Sequence, residues 1–242
     1  MSTLSLLEEQ TAAWGLHLDR GRRDKLLEYA GLLAAYDRAN VIGTRNLDGI
    51  LLEHVLDSLS CFLYRPLFGA GRLADVGSGG GLPGIPLKIV EPDLATTLVE
   101  STGKKASFLR YAVETLSLER VGVANVRVEE FGRERGCRGA FDIVTSRAVA
   151  RLSVVAEYSV PLLETGGRVL AMKGRLEQEE LAEGSRAADT LGARVEEIVE
   201  VPMLPSIGEK ERKVVVLEKI RETPEEYPRR PGVAARRPLG AG

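Results

Sequence analysis

Apolar residues recur at the helical period through the first quarter of the chain, then give way to short apolar runs separated by amphipathic stretches. Residues 4–63 read helical: Leu26, Leu27, Ala30, Leu33 and Ala34 keep the 3.6-residue period, Gly/Asn/Thr at 40–46 breaks it, and Ile50, Leu51, Val55, Leu59 and Phe62 resume it. From residue 72 the spacing predicts strands at 72–76, 96–100, 121–128, 140–146 and 167–173, with helices near 83–90, 102–118, 151–163 and 176–191. That rhythm implies a parallel, doubly wound sheet. Two more strands, near 194–203 and 211–219, are joined by Pro202-Met203-Leu204-Pro205-Ser206-Ile207-Gly208. The connection leaves no room for a crossover helix, so this pair is expected to be antiparallel. The expected class is α/β: a seven-stranded, mostly parallel sheet with a C-terminal antiparallel hairpin, preceded by an N-terminal helical extension. The expected units are 1–66 for the extension, 67–223 for the core and 224–242 for a basic Pro/Arg-rich tail.

Composition narrows the class only a little. At 242 residues, 44% hydrophobic and 5% aromatic, the chain suits one sizeable α/β domain with a helical addition. Cys61 and Cys137 have no metal-ligand spacing to each other or to His17 and His54, which argues against a disulfide framework and a zinc site. No metal is expected. The N-terminus lacks a basic n-region and no apolar run approaches transmembrane length, so a cytoplasmic protein without membrane association is expected. A monomer is the expected state. The net charge of −2 gives no global sign of nucleic-acid binding, yet residues 227–242 hold Arg229, Arg230, Arg236 and Arg237 and no acid.

The chemistry concentrates in Leu73-Ala74-Asp75-Val76-Gly77-Ser78-Gly79-Gly80-Gly81-Leu82-Pro83-Gly84, an apolar run ending in an acid, then glycines, then a proline suited to the first helical position. Glycines let the backbone turn sharply and approach a ligand closely. Glu100 ends the next strand, at the spacing where a carboxylate takes ribose hydroxyls. Residues 79–84 satisfy G-x-G-x-x-G, so an NAD(P) enzyme stands as an alternative. Against it, a dinucleotide loop holds pyrophosphate on backbone N–H groups at the helix start, where Pro83 removes a donor. Asp75-x-Gly77-x-Gly79-x-Gly81 also looks like motif I of S-adenosylmethionine (SAM) methyltransferases, whose ligand has no phosphate. SAM is the preferred cofactor. A hairpin finishing a parallel sheet is likewise similar to the Rossmann-like SAM-dependent methyltransferase fold.

Several motifs together resemble the RsmG family, also called glucose-inhibited division protein B. They are Asp75–Pro86 (DVGSGGGLPGIP), Arg127–Phe131 (RVEEF), Phe141–Ala148 (FDIVTSRA), Lys173-Gly174 after a strand, the helix with His54-x-x-Asp57-Ser58, and the tail Tyr227-Pro228-Arg229-Arg230-Pro231-Gly232 continuing to Arg236-Arg237-Pro238-Leu239. One departure is Asn46-Leu47-Asp48, where the family has Asn-Leu-Thr. The resemblance implies SAM-dependent methylation of a guanine N7 in bacterial 16S rRNA, in the small-subunit loop near the decoding site. It implies cofactor contacts at Gly77, Leu82, Val128, Glu129 and Arg147, which join Asp75, Gly79 and Glu100 in the expected site.

Methylation at N7 needs no general base, because the attacking lone pair carries no proton, and the chain shows no nucleophile–base constellation. No catalytic residue is assigned. Lys173, Arg175, Arg229, Arg230, Arg236 and Arg237 are the candidates for phosphate contacts with 16S rRNA, a small subunit or an assembly intermediate. Each reading has a plainer rival: Asp75 caps the turn, Glu100 is a solvated strand end, Arg147 makes a structural salt bridge, His54 and Asp57 stabilise helix packing, Lys104, Lys105 and Arg110 form a solvated helix face, and the tail is disordered. A non-catalytic RNA-binding protein on the same fold is the third functional reading.

Overall fold

The computed structural model describes residues 2–203, 208 and 210–241; residues 204–207 of the connection between the last two strands lie outside them. Seven strands form one sheet: β1 (Arg72–Val76), β2 (Ala95–Val99), β3 (Val121–Ala124), β4 (Phe141–Arg147), β5 (Leu163–Lys173), β6 (Ala193–Glu200) and β7 (Lys213–Lys219). The order is β3-β2-β1-β4-β5-β7-β6. Pairing is parallel from β3 through β5, and β7 lies antiparallel between β5 and β6. The expected hairpin therefore exists, with β7 inserted into the sheet and β6 at its edge.

Helices are α1 (Thr3–Ala13), α2 (Arg20–Ala35), α3 (Leu47–Ile50), α4 (Leu56–Leu59), α5 (Gly84–Val90), α6 (Gly103–Thr115), α7 (Val128–Phe131), α8 (Leu152–Ser159), α9 (Gln178–Leu191) and α10 (Val233–Arg236). Between α3 and α4 the helix widens to π geometry over Leu51–Val55. Pro83 occupies the N-cap of α5, one position before the expected one. The third strand stops at Ala124 because Asn125, a poor strand former, turns its side chain back to donate to the Glu100 carbonyl (2.8 Å).

Successive residues of the central strands feed two cores. Leu73, Ile143, Leu170, Met172, Val214 and Val216 pack with the N-terminal helices, α5 and α6, whereas Ala74, Val144, Val169, Ala171, Val215 and Leu217 pack with α8 and α9. This two-sided burial is why the strands read as apolar runs rather than alternating ones. The N-terminal helices share the first core and are pinned to it by polar contacts. The fully buried Tyr29 hydroxyl donates to the Gly80 carbonyl (2.6 Å), and Trp14 Nε1 donates to the Pro202 carbonyl (2.8 Å).

The tail is ordered and lies against the second core's helices. Arg133 and Arg138 donate to the carbonyls of Thr223, Pro224, Glu226, Tyr227 and Pro228. Ala234 is buried, and the Gly232 N–H donates to Glu129 Oε1 (2.8 Å).

Candidate functional site

The carboxyl ends of β1, β2, β4 and β5 converge, as an open parallel sheet requires of a ligand site. The loop after β1 turns through Gly77 (φ +68°), Gly79 (φ +57°) and Gly81 (φ +94°), a run of left-handed conformations that side-chain-bearing residues avoid. Their surroundings differ. A Cβ on Gly80 would meet Leu33 at 2.9 Å and the Val41 carbonyl at 3.0 Å, and one on Gly84 would meet Leu98 at 2.6 Å, so these two serve packing. A Cβ on Gly79 would meet nothing nearer than the Gly77 carbonyl at 3.8 Å. Space is left open there.

Glu100 ends β2 beside that opening. Its Oε2 accepts from the Gly79 N–H (2.9 Å) and its Oε1 from the Thr102 N–H (2.7 Å). A carboxylate offers about four acceptor positions, so this one retains capacity for hydroxyl donors. It lines a narrow cleft of about 120 Å³ with Gly77, Ser101, Val128, Glu129, Val149 and Tyr158. Glu129 is buried and held from two sides, by Gly232 of the tail and by Tyr158, whose hydroxyl burial and the nearby Glu129 charge push up to about 12.

Asp75, expected to orient the loop or reach the ligand, is committed within the fold. It is fully buried, with Oδ1 accepting from the Thr145 hydroxyl (3.0 Å) and Oδ2 from the Gly84 N–H (3.1 Å). Both oxygens tie β1 to β4 and to the start of α5. Burial raises its pKa to about 6, although the bonds from Thr145 and Gly84 oppose the shift. Leu82 is nearly buried in the first core, at the base of the glycine turn.

A second cleft, of about 360 Å³, adjoins the first at Val149 and runs between the ends of β4, β5 and β7. Arg147 lies on its wall and bridges core to extension: Nε pairs with Asp57 Oδ2 (2.8 Å), and NH2 contacts the Glu53 carbonyl (2.9 Å) and His54 Nδ1 (2.8 Å). Arg212 takes the other Asp57 oxygen (2.7 Å). Asp57 is thus bound by two guanidiniums rather than by His54, whose pKa is lowered by burial and then by the Arg147 charge. Ala148 holds a left-handed φ of +53° between Arg147 and Val149, the kind of backbone strain that collects at functional sites.

Two of the expected phosphate contacts have partners within the protein. Lys173 leaves β5 on the cleft side, but its ammonium is taken by the Ala150 carbonyl (2.8 Å) and Glu180 (2.6 Å). Arg229 points inward: its guanidinium forms a two-pronged pair with Glu157 (2.5–3.1 Å), a carboxylate with no exposed side-chain surface. A cation of the tail is drawn there because an unpaired buried carboxylate is costly. Arg175 is exposed with only Glu177 beside it, and Arg230, Arg236 and Arg237 are exposed. Tyr158, Val149 and Arg212 also line the site without having been singled out in the sequence. Asn125 had a signal, a strand breaker inside an apolar run; the others had none. Among the described residues no helix is long and apolar enough to cross a membrane, and no group of three or more His, Cys, Asp or Glu could hold a metal ion.

Comparison with known proteins places this geometry. The sequence model of the family described as GidB, rRNA small subunit methyltransferase G, matches residues 22–214. A ribosomal RNA small subunit methyltransferase G of Rubrobacter xylanophilus is 56% identical over 242 residues, covering 100% of this chain and 93% of that one. Its counterpart in Chloroflexus aggregans is 43% identical, covering 98% and 99%. In fold, the chain is similar to geranyl diphosphate C-methyltransferase from Streptomyces coelicolor (TM-score 0.55, 15% identity, covering 84% of this chain and 99% of that one). The Pyrococcus horikoshii protein described as an RNA methyltransferase gives a TM-score of 0.55 at 12% identity, covering 83% and 98%. With its family's model matched over most of its length, the chain belongs to the GidB family of small-subunit rRNA methyltransferases G.

Proposed function

We propose that this protein transfers the methyl group of SAM to N7 of a guanine in 16S rRNA. The observation that carries the reading is the open position at Gly79 beside the Glu100 carboxylate, next to a larger cleft edged with cations, in a member of this family. The residues present fit SAM: side-chain-free loop positions, a carboxylate with spare acceptor sites for ribose hydroxyls, and an apolar wall at Val128 and Val149. When bound, SAM supplies an electrophilic sulfonium methyl.

The rest is the protein's work. Glu100, Val128 and Glu129 would take the nucleoside half, with Gly77 and Gly79 giving close backbone approach and Asp75 and Leu82 fixing the loop from beneath. The acceptor base would enter the second cleft, whose wall the Arg147–Asp57–Arg212 network holds rigid; Arg147 thus acts through the wall. Because N7 carries no proton, the protein need only hold the lone pair and the methyl in line and keep water out, an arrangement worth about 7–11 kcal/mol in well-oriented intramolecular reactions. Arg230, Arg236 and Arg237, exposed and, among the described residues, without a carboxylate partner, and Arg175, paired at the surface with Glu177, are the expected candidates for phosphates. The substrate is the rRNA or the small subunit that contains it, and the compartment is the cytoplasm.

Incubation with methyl-labelled SAM and small-subunit rRNA from a strain lacking this protein tests the reading. Label should enter the rRNA, and NADH should neither bind nor compete. An NAD(P) oxidoreductase would do the reverse, and a non-catalytic RNA-binding protein would leave the rRNA unlabelled.

A further inference from the structure

Aromatic side chains are scarce in this chain, and two of the tyrosines pair at the surface, Tyr36 half-buried against the first core and Tyr111 exposed. Tyr111 on α6 is 47% exposed and stacks on Tyr36, which follows α2, with ring centroids 6.1 Å apart and planes 30° from parallel. Tyr36 in turn meets the buried Phe108 edge-on at 4.7 Å, so the pair has a rigid base. The rings border a groove of about 300 Å³ that also takes in Arg38 and Ser107. The other well-exposed aromatic ring, Phe68, lies before β1 at the opposite, amino end of the sheet and rests on Phe62 (4.8 Å).

The charge on this side of the molecule is largely unpaired. Arg38, Arg45, Lys104 and Arg110 are exposed, and among the described residues none is engaged by an acidic side chain. Around the second cleft, by contrast, Lys173, Arg175, Lys210, Arg212 and Lys213 each have a carboxylate partner. Lys104, Ser107 and Tyr111 fall at i, i+3 and i+7, on one face of α6. Asp37 lines the groove beside Arg38, and Glu114 lies one turn beyond Arg110 on α6.

The groove leads toward the site. Tyr36 and Asp37 also border the neighbouring depression over residues 39–45, and Thr44 borders the next, which ends at Glu53 and His54 against Arg147. Residues 39–45 lie directly on the glycine loop, where the Val41 carbonyl limits Gly80.

We propose that Tyr36 and Tyr111, with Arg38, Arg45, Lys104 and Arg110, form a docking platform for a single-stranded stretch of the substrate RNA beyond the methylated base. Unstacked bases lie on the tyrosine faces and phosphates on the four cations. Stacking on an aromatic ring is independent of sequence, and a cationic border supplies the salt-sensitive part of affinity. The inference rests on the RNA-methyltransferase reading and adds where the RNA lies.

Fluorescence anisotropy with a labelled oligouridylate and with small-subunit rRNA fragments, paired with methyl-transfer kinetics, tests it. Tyr111→Ala should weaken RNA binding about 5- to 150-fold and raise KM for rRNA with kcat and SAM affinity unchanged, while Tyr111→Phe stays near wild type. Arg38→Ala with Lys104→Ala should flatten the salt slope by about 1.4. A fully paired RNA duplex should show no dependence on Tyr111. If wild-type protein methylates rRNA and Tyr111→Ala keeps its affinity and KM, the platform is wrong while the enzymatic reading stands. If wild-type protein neither binds nor methylates RNA, both fall.

Discussion

Two carboxylates at the ends of adjacent strands have opposite roles, and their surroundings decide which. Glu100 faces the open space at Gly79 with acceptor capacity to spare; Asp75 accepts as many bonds but is fully buried, walled in by Thr145 and Gly84. Glu100→Ala should weaken SAM binding in isothermal titration by about 10- to 150-fold, from losing charge-assisted hydrogen bonds worth roughly 1.5–3 kcal/mol. An unchanged dissociation constant would remove Glu100 from the cofactor site. For Asp75 the consequence is a pH dependence of stability. Its pKa is raised from 3.8 to about 6 by burial, so the folded state holds the proton that the unfolded chain releases between those values, and stability falls as pH rises through that window. The stability of Asp75→Asn relative to wild type should therefore rise by roughly 2 kcal/mol between pH 4 and 7 in urea unfolding. A constant difference would mean that Asp75 titrates like an exposed acid. The types and strand-end positions of both residues are legible in the sequence. Their roles are not, because burial and hydrogen-bond partners such as Thr145, 70 residues away, exist only after folding.

At the scale of elements, the sequence carries what is local. The apolar runs of β1, β4, β5 and β7 and the short link before β7 specify a parallel sheet closed by an antiparallel strand, since period and connection length are properties of contiguous residues. The end of the chain is the counterexample. Rich in Pro, Gly and Arg, it reads as a basic segment for RNA phosphates or as a disordered tail, yet Arg229 crosses 72 positions to pair with Glu157 on α8, and Gly232 reaches Glu129 beside the smaller cleft. No local pattern encodes such a partner. Arg229→Ala would strand a fully buried carboxylate, a loss of about 3–5 kcal/mol, so the thermal midpoint should drop by roughly 6–20 °C. Were the segment a passive tail, differential scanning calorimetry would show a shift near zero.

For the molecule as a whole, the sheet brings four strand ends to one side, the N-terminal helices cover the glycine loop through Tyr29, and the tail props Glu129 from the other flank. The two clefts meet at Val149, and the proposed alkylation at N7 needs no acid–base residue in either. The most direct measurement is the position of the methyl group: rRNA from a strain lacking this protein, treated with the purified protein and SAM, then cleaved selectively at N7-methylguanine and sequenced. A single new cleavage at one 16S rRNA guanine, absent without SAM, is the expected result. Methyl incorporation at any atom other than guanine N7, or none at all, would contradict it.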